Sequence, residues 1–139
     1  MTVERSLEGL PAEELVGVDG YEVHAPDGQR AGYVDLIFAD EATGLPEWLG
    51  VWNGLPGGPR TIMPVHGARQ VGGEVHVPWS KETIGEAPHY HERFRQDPHD
   101  VHITREMEEE AYRLYGVQPL TPAPADEYVY RFRAIIISR

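Results

Sequence analysis

Histidine is the reactive residue type that this sequence concentrates. His89, His91, His99 and His102 fall within one short stretch, with Asp97 and Asp100 close by. Neutral imidazole nitrogens and carboxylate oxygens suit zinc, nickel or copper. His89 and His91 converge if that stretch is extended, and His99 and His102 converge on a turn. The competing reading is a solvated polar linker that happens to be rich in histidine, because spacing of this kind carries little information without cysteines or a regular scaffold. A pH-sensitive contact surface is a third use of the same side chains, since imidazole titrates near neutrality.

Other chemistries find less support. Asp35, Asp40, Glu41 and Glu47 surround a central hairpin, and two carboxylates can do acid–base work. With no pocket signal beside them, rim charges on a folded β domain are the simpler reading. Ser80 is placed to cap a helix, and no Gly-x-Ser-x-Gly elbow is present. Lys81 is the sole lysine and lies outside any phosphate loop. Gly57-Gly58 and Gly72-Gly73 read as turn glycines rather than a dinucleotide fingerprint. No catalytic residue and no cofactor are assigned, and the chain is not read as an enzyme.

Composition narrows the partners. The 139 residues carry a formal net charge of -11, which repels phosphate backbones and anionic membranes. Tyr128, Tyr130, Phe132, Arg131 and Arg133 interleave aromatics with arginines, as a base-stacking strand would. The acidic total speaks against nucleic acid. Cysteine is absent, so disulfides and thiolate chemistry are excluded together. No apolar run reaches the length of a membrane span, and the N-terminus lacks a basic region followed by an apolar one. A cytoplasmic protein is expected.

The elements that must position these residues read as short strands. Tyr21–Ala25 and Arg30–Ala39 flank a Pro26-Asp27-Gly28 turn. In the second of these, Val34, Leu36 and Phe38 share one face, and Tyr33, Asp35 and Ile37 the other. Trp48–Asn53 follows, then a Gly54–Pro59 tip, Thr61–Val65, and a hairpin of Ala68–Val71 with Glu74–Val77 around Gly72-Gly73. Val75 and Val77 point inward, while Glu74 and His76 point to solvent. A short helix begins after Ser80. The clearest helix is Thr104–Tyr115, with Thr104 as its cap, an Ile103, Met107, Ala111 and Leu114 stripe, a Glu109–Arg113 pair and Gly116 as its stop. Tyr128–Ile137 is strongly strand-forming, and it must pack on its own sheet or on a second copy. The chain divides into an N-terminal extension (1–19), a barrel (20–79), a helical or irregular part (80–117), and a linker plus terminal strand (118–139).

In order and spacing these features resemble the PRC-barrel family, shared by the cytoplasmic part of the photosynthetic reaction-centre H subunit, a ribosome-maturation factor and small stand-alone bacterial proteins. The matching pieces are Gly20-Tyr-Glu-Val23, Pro26-Asp-Gly28, Gly32-Tyr-Val-Asp35, Thr43-Gly44, Pro46-Glu-Trp48, the strand end at Val51 to Gly54, Met63-Pro64, Val77-Pro-Trp79 and Ala87-Pro88. The helix ending Tyr112-Arg-Leu-Tyr-Gly116 looks like the tail of stand-alone members. Met107 departs from the family pattern, which places a carboxylate there, and neither photosynthesis nor ribosome assembly is carried over. The resemblance implies protein contacts rather than chemistry.

The expected architecture is therefore mainly β: a small antiparallel PRC-type β-barrel of five or six strands with a short helix, a C-terminal α-helix and a terminal strand. The expected function is a non-enzymatic interaction or scaffold module, forming a homodimer and binding further proteins. Its contacts would come from the edge at Met63 and Pro64, the Gly54–Pro59 tip, and the tail residues Tyr128, Tyr130, Phe132 and Ile136. The alternative is a metal-ion or small-ligand binding protein using His89, His91, His99 and His102.

Overall fold

A computed structural model describes residues 4–15, 17–18, 20–90, 101–120 and 131–135. The strands are β1 (Glu4–Ser6), β2 (Glu22–His24), β3 (Arg30–Asp40), β4 (Pro46–Trp52), β5 (Arg60–Pro64), β6 (Arg69–Val71), β7 (Glu74–His76) and β8 (Phe132–Ile135). A 3-10 turn (Ala12–Leu15) follows β1, and the helices are α1 (Lys81–Glu86) and α2 (Arg105–Tyr115). All eight strands join one sheet in the order β1-β6-β7-β2-β3-β4-β5, with β8 beside β3.

The mainly β character matches the alternation of the sequence, but the sheet is open rather than a closed barrel. Its end strands, β1 and β5, do not pair. The outer edge of β5 is instead satisfied by the segment after α1 and by α2. Ile62 N–H donates to Pro88 O (3.2 Å), Tyr90 N–H donates to Arg60 O (3.0 Å), and the Tyr115 hydroxyl donates to Ile62 O (2.8 Å). Groups that a closing strand would have paired are thereby occupied. The sheet is not wholly antiparallel either, because β2 and β7 run parallel.

β3 organises the sheet. Its register against β4 shifts between Val34 and Leu36, and this bulge resets the side-chain phase. Val34 and Ile37 are both buried as a result, against the simple alternation, while Leu36 is half-buried. β4 runs along one edge of β3. The other edge is divided: β2 pairs at residues 30–33 and β8 pairs antiparallel at residues 37–40. The terminal strand thus packs on its own sheet. Gly50 of β4 is needed for close approach, since a Cβ there would lie 2.1 Å from the Tyr90 hydroxyl oxygen.

The N-terminal segment also belongs to the core. β1 pairs with β6, and Leu7, Leu15 and Val18 are buried with the sheet residues Val23, Trp48, Ile62 and Val75. Both helices start on side-chain caps: Ser80 accepts from Thr83 N–H, and Thr104 accepts from Met107 N–H. Gly116 ends α2 in the left-handed conformation at φ 68°. The buried face of α2 carries Glu108, Ala111 and Tyr115, with Met107 and Leu114 only partly covered. On its surface Arg105 pairs with Glu109 (3.9 Å). Neither helix is long and apolar enough to cross a membrane.

Two buried polar contacts fasten the last elements to this sheet. Arg131 Nε donates to Asp40 Oδ2 at 2.8 Å, with both side chains about 3% exposed. Asp40 Oδ1 meanwhile accepts from Ala42 N–H (2.8 Å) and Thr43 N–H (3.2 Å), and Glu41 N–H donates to Arg131 O (3.0 Å). Beside them the Tyr112 hydroxyl of α2 donates to Glu47 Oε2 of β4. Burial pushes the Glu47 pKa up, opposed by the Tyr112 hydrogen bond and by the positive charges of Arg131 and His66.

Two outcomes test these contacts. Arg131→Met leaves Asp40 buried without its counter-ion and should lower the unfolding free energy by about 3 kcal/mol, with Asp40→Asn in the same chain restoring part of the loss. Urea midpoints read this, and a drop below about 1 kcal/mol would place the pair in the class of weak surface bridges. Glu47 holds its proton more tightly folded than unfolded, so its contribution is complete below the ordinary value of 4.5 and is lost as pH rises through the raised one. Glu47→Gln keeps the acceptor and cannot ionise. The stability of wild type relative to this variant should therefore fall with pH in that window, by up to about 1.4 kcal/mol per pH unit. A difference that stays flat as pH rises above the ordinary value of 4.5 contradicts the assignment.

Candidate metal centre

The tripeptide Glu-Val-His occurs twice, at 22–24 in β2 and at 74–76 in β7. Parallel pairing sets the two copies in matched register, Glu22 beside Glu74, Val23 beside Val75 and His24 beside His76. Alternation along each strand sends the valines inward, where both are fully buried, and the glutamates and histidines to the outer face. In antiparallel pairing the same tripeptides would set each glutamate against a histidine. The parallel register gathers like with like.

The outcome is a compact group of nitrogen and oxygen donors. His24 Nε2 lies 2.9 Å from Glu22 Oε1 and 3.4 Å from Glu74 Oε2. Donor atoms of these three residues all fall within 4.8 Å of one another. His76 completes the group from outside: its Nε2 is 2.9 Å from Glu74 Oε1, and its ring stacks on that of His24 at 5.3 Å and 14°. All four side chains are partly exposed. One imidazole and two carboxylates can hold a divalent ion and leave a coordination position open to solvent. His76 then steadies Glu74 as an outer partner, a role such hydrogen bonds commonly play.

The row continues across the sheet. Glu74, Glu22, Tyr33, Trp52 and Arg60 are successive neighbours on β7, β2, β3, β4 and β5. Arg30 lies over the Tyr33 ring at 5.1 Å, Arg60 over Trp52 at 5.5 Å, and the two rings approach at 5.9 Å. Arg60 Nε also donates to Asp35 Oδ2 at 3.1 Å, and the Tyr90 hydroxyl donates to the same oxygen at 2.7 Å. Asp35 is therefore part of a structural hydrogen-bond network.

The histidines singled out in the sequence are placed elsewhere. His89 is exposed and bridges to Thr61 of β5, and His102 is exposed and bridges to Arg133 of β8. They sit beside different strands, and among the described residues neither joins a donor cluster. His91 and His99 lie outside the described residues. Of the expected contact residues, Met63 and Pro64 are buried beneath the covered edge of β5, and Phe132 is buried against Trp48. Tyr128, Tyr130 and Ile136 also lie outside the described residues. At the Gly54–Pro59 tip, Leu55 is exposed. The two copies of Glu-Val-His were visible in the sequence, but only the parallel register gives the repetition a meaning. No family model matches this chain, and no curated protein matches it.

Proposed function

We propose that this protein binds a divalent transition-metal ion at Glu22, His24 and Glu74, with His76 as the outer partner of Glu74. The observation that carries this reading is the matched parallel register of the two Glu-Val-His segments, which brings three donors within coordinating reach of one another. Zinc is the probe of choice, since it accepts mixed nitrogen and oxygen ligands at low coordination number. Ligation uses the lone pair of a His24 ring nitrogen, so metal and proton compete for that atom. It also ties β2 to β7 and should stabilise the fold by mass action.

Titration calorimetry on the full chain without a histidine tag should give one zinc per chain and a higher melting temperature. His24→Ala should abolish binding. His76→Ala should weaken it by about 10- to 100-fold, the usual effect of losing an outer partner. His89→Ala with His102→Ala should leave it unchanged. Zinc affinity that survives His24→Ala would remove the centre from consideration.

A second reading, a protein-contact module that self-associates, rests on the Arg30, Tyr33, Trp52 and Arg60 row beside the exposed Leu55. Tyrosine, tryptophan and arginine are the residue types that concentrate binding energy at interfaces. Light scattering should then report a dimer that Trp52→Ala with Leu55→Ser converts to monomer. A monomeric wild-type chain at micromolar concentration rules this reading out.

A further inference from the structure

A groove of about 550 Å³ opens beside His76, between the Pro26–Gly28 turn and the Gly67 and Pro78 segment. Its apolar wall includes Ala25, Pro26, Val77 and Pro78, and Arg69 and His76 are its titratable lining groups. Arg69 and His76 are cross-strand neighbours on β6 and β7, so both side chains rise from the same face. Its volume falls in the range of small-molecule sites, in which an apolar wall holds the body of the ligand and a few polar groups fix its orientation.

The charges around the groove determine the ligand class. Arg69 pairs with Glu4, and His76 contacts Glu74, which in turn stands beside His24 and Glu22. Without a metal, the carboxylates at the His76 end repel an anion. A divalent ion held by Glu22, His24 and Glu74 cancels the two negative charges of its ligands and offers an open coordination position. Arg69 keeps one guanidinium nitrogen on Glu4, and its remaining donors, set in one plane, match a carboxylate that the carboxylates beside His76 no longer repel.

Building on the metal reading, we infer that this groove binds a small organic acid with a compact apolar body, and that it does so only when the metal is in place. The carboxylate lies toward Arg69 and His76, and the apolar body lies along Pro26, Val77 and Pro78. The ion and the acid are therefore coupled ligands, each raising the affinity of the other by the same factor.

Benzoate, and benzamide as its uncharged counterpart, test this by titration against the full chain with and without zinc. Benzoate should bind the zinc-loaded protein at least tenfold more tightly than the zinc-free protein, and benzamide should show no such gain. Arg69→Gln should weaken benzoate at least tenfold while leaving zinc affinity measured without benzoate unchanged. Equal benzoate affinity with and without zinc, or equal affinity for benzamide, overturns the inference. Zinc binding with no benzoate binding overturns it alone, and failure to bind zinc overturns it together with the proposed metal site.

Discussion

An eleven-residue strand needs hydrogen-bond partners along both edges, and β3 has a long partner on one side only. On the other side its edge is shared between β2 and β8. Much of the architecture follows from that division. The first half recruits β2, whose free edge then accepts β7 in parallel and so creates the donor cluster. The second half recruits a strand from far along the chain and brings Arg131 with it. The bulge at residues 34–36 lies between the two halves, where the strand must change its phase to serve both.

Polar groups in the interior follow the same economy of position. Asp40 and Glu47 stand at the two ends of the β3–β4 connection, and each receives a partner from an element that arrives late in the sequence, Arg131 and Tyr112. Such pairs contribute little net energy compared with apolar residues of the same shape, but they strongly penalise any arrangement that leaves one partner behind. Here they specify where β8 and α2 sit. The exposed donors on β2 and β7 differ in kind. They are close together, partly hydrated and held by the backbone register, the condition in which side chains can bind an ion instead of each other.

Local features were legible in the sequence and long-range ones were not. Ser80, Thr104 and Gly116 bound their helices as read, because a cap depends on residues within one turn. The inward valines at 75 and 77 followed from alternation alone. The phase of β3 beyond Val34 could not be read, because a bulge is set by the partner strand. The pairing of β1 was missed because three residues give too short a pattern to recognise. Sheet closure was overestimated because β5 is covered by the segment around Pro88 to Tyr90 and by α2, a contact with no periodic signature. Metal chemistry was sought at His89 to His102 because those histidines are dense in sequence, whereas coordination depends on density in space. Histidines 52 residues apart meet because two strands share a direction.

The division of β3 also has a consequence in time. Arg131 lies 91 residues after Asp40. At about 5–20 residues per second on the ribosome, the far half of β3 waits on the order of 5–20 seconds for its last strand to be made. During that interval the nascent chain presents an unpaired backbone edge and an uncompensated aspartate, and the aspartate keeps that edge hydrated while it is open. Charge on an open strand edge disfavours its pairing with another chain, so the aspartate that fastens the finished sheet is also the residue type that discourages association while that edge is open.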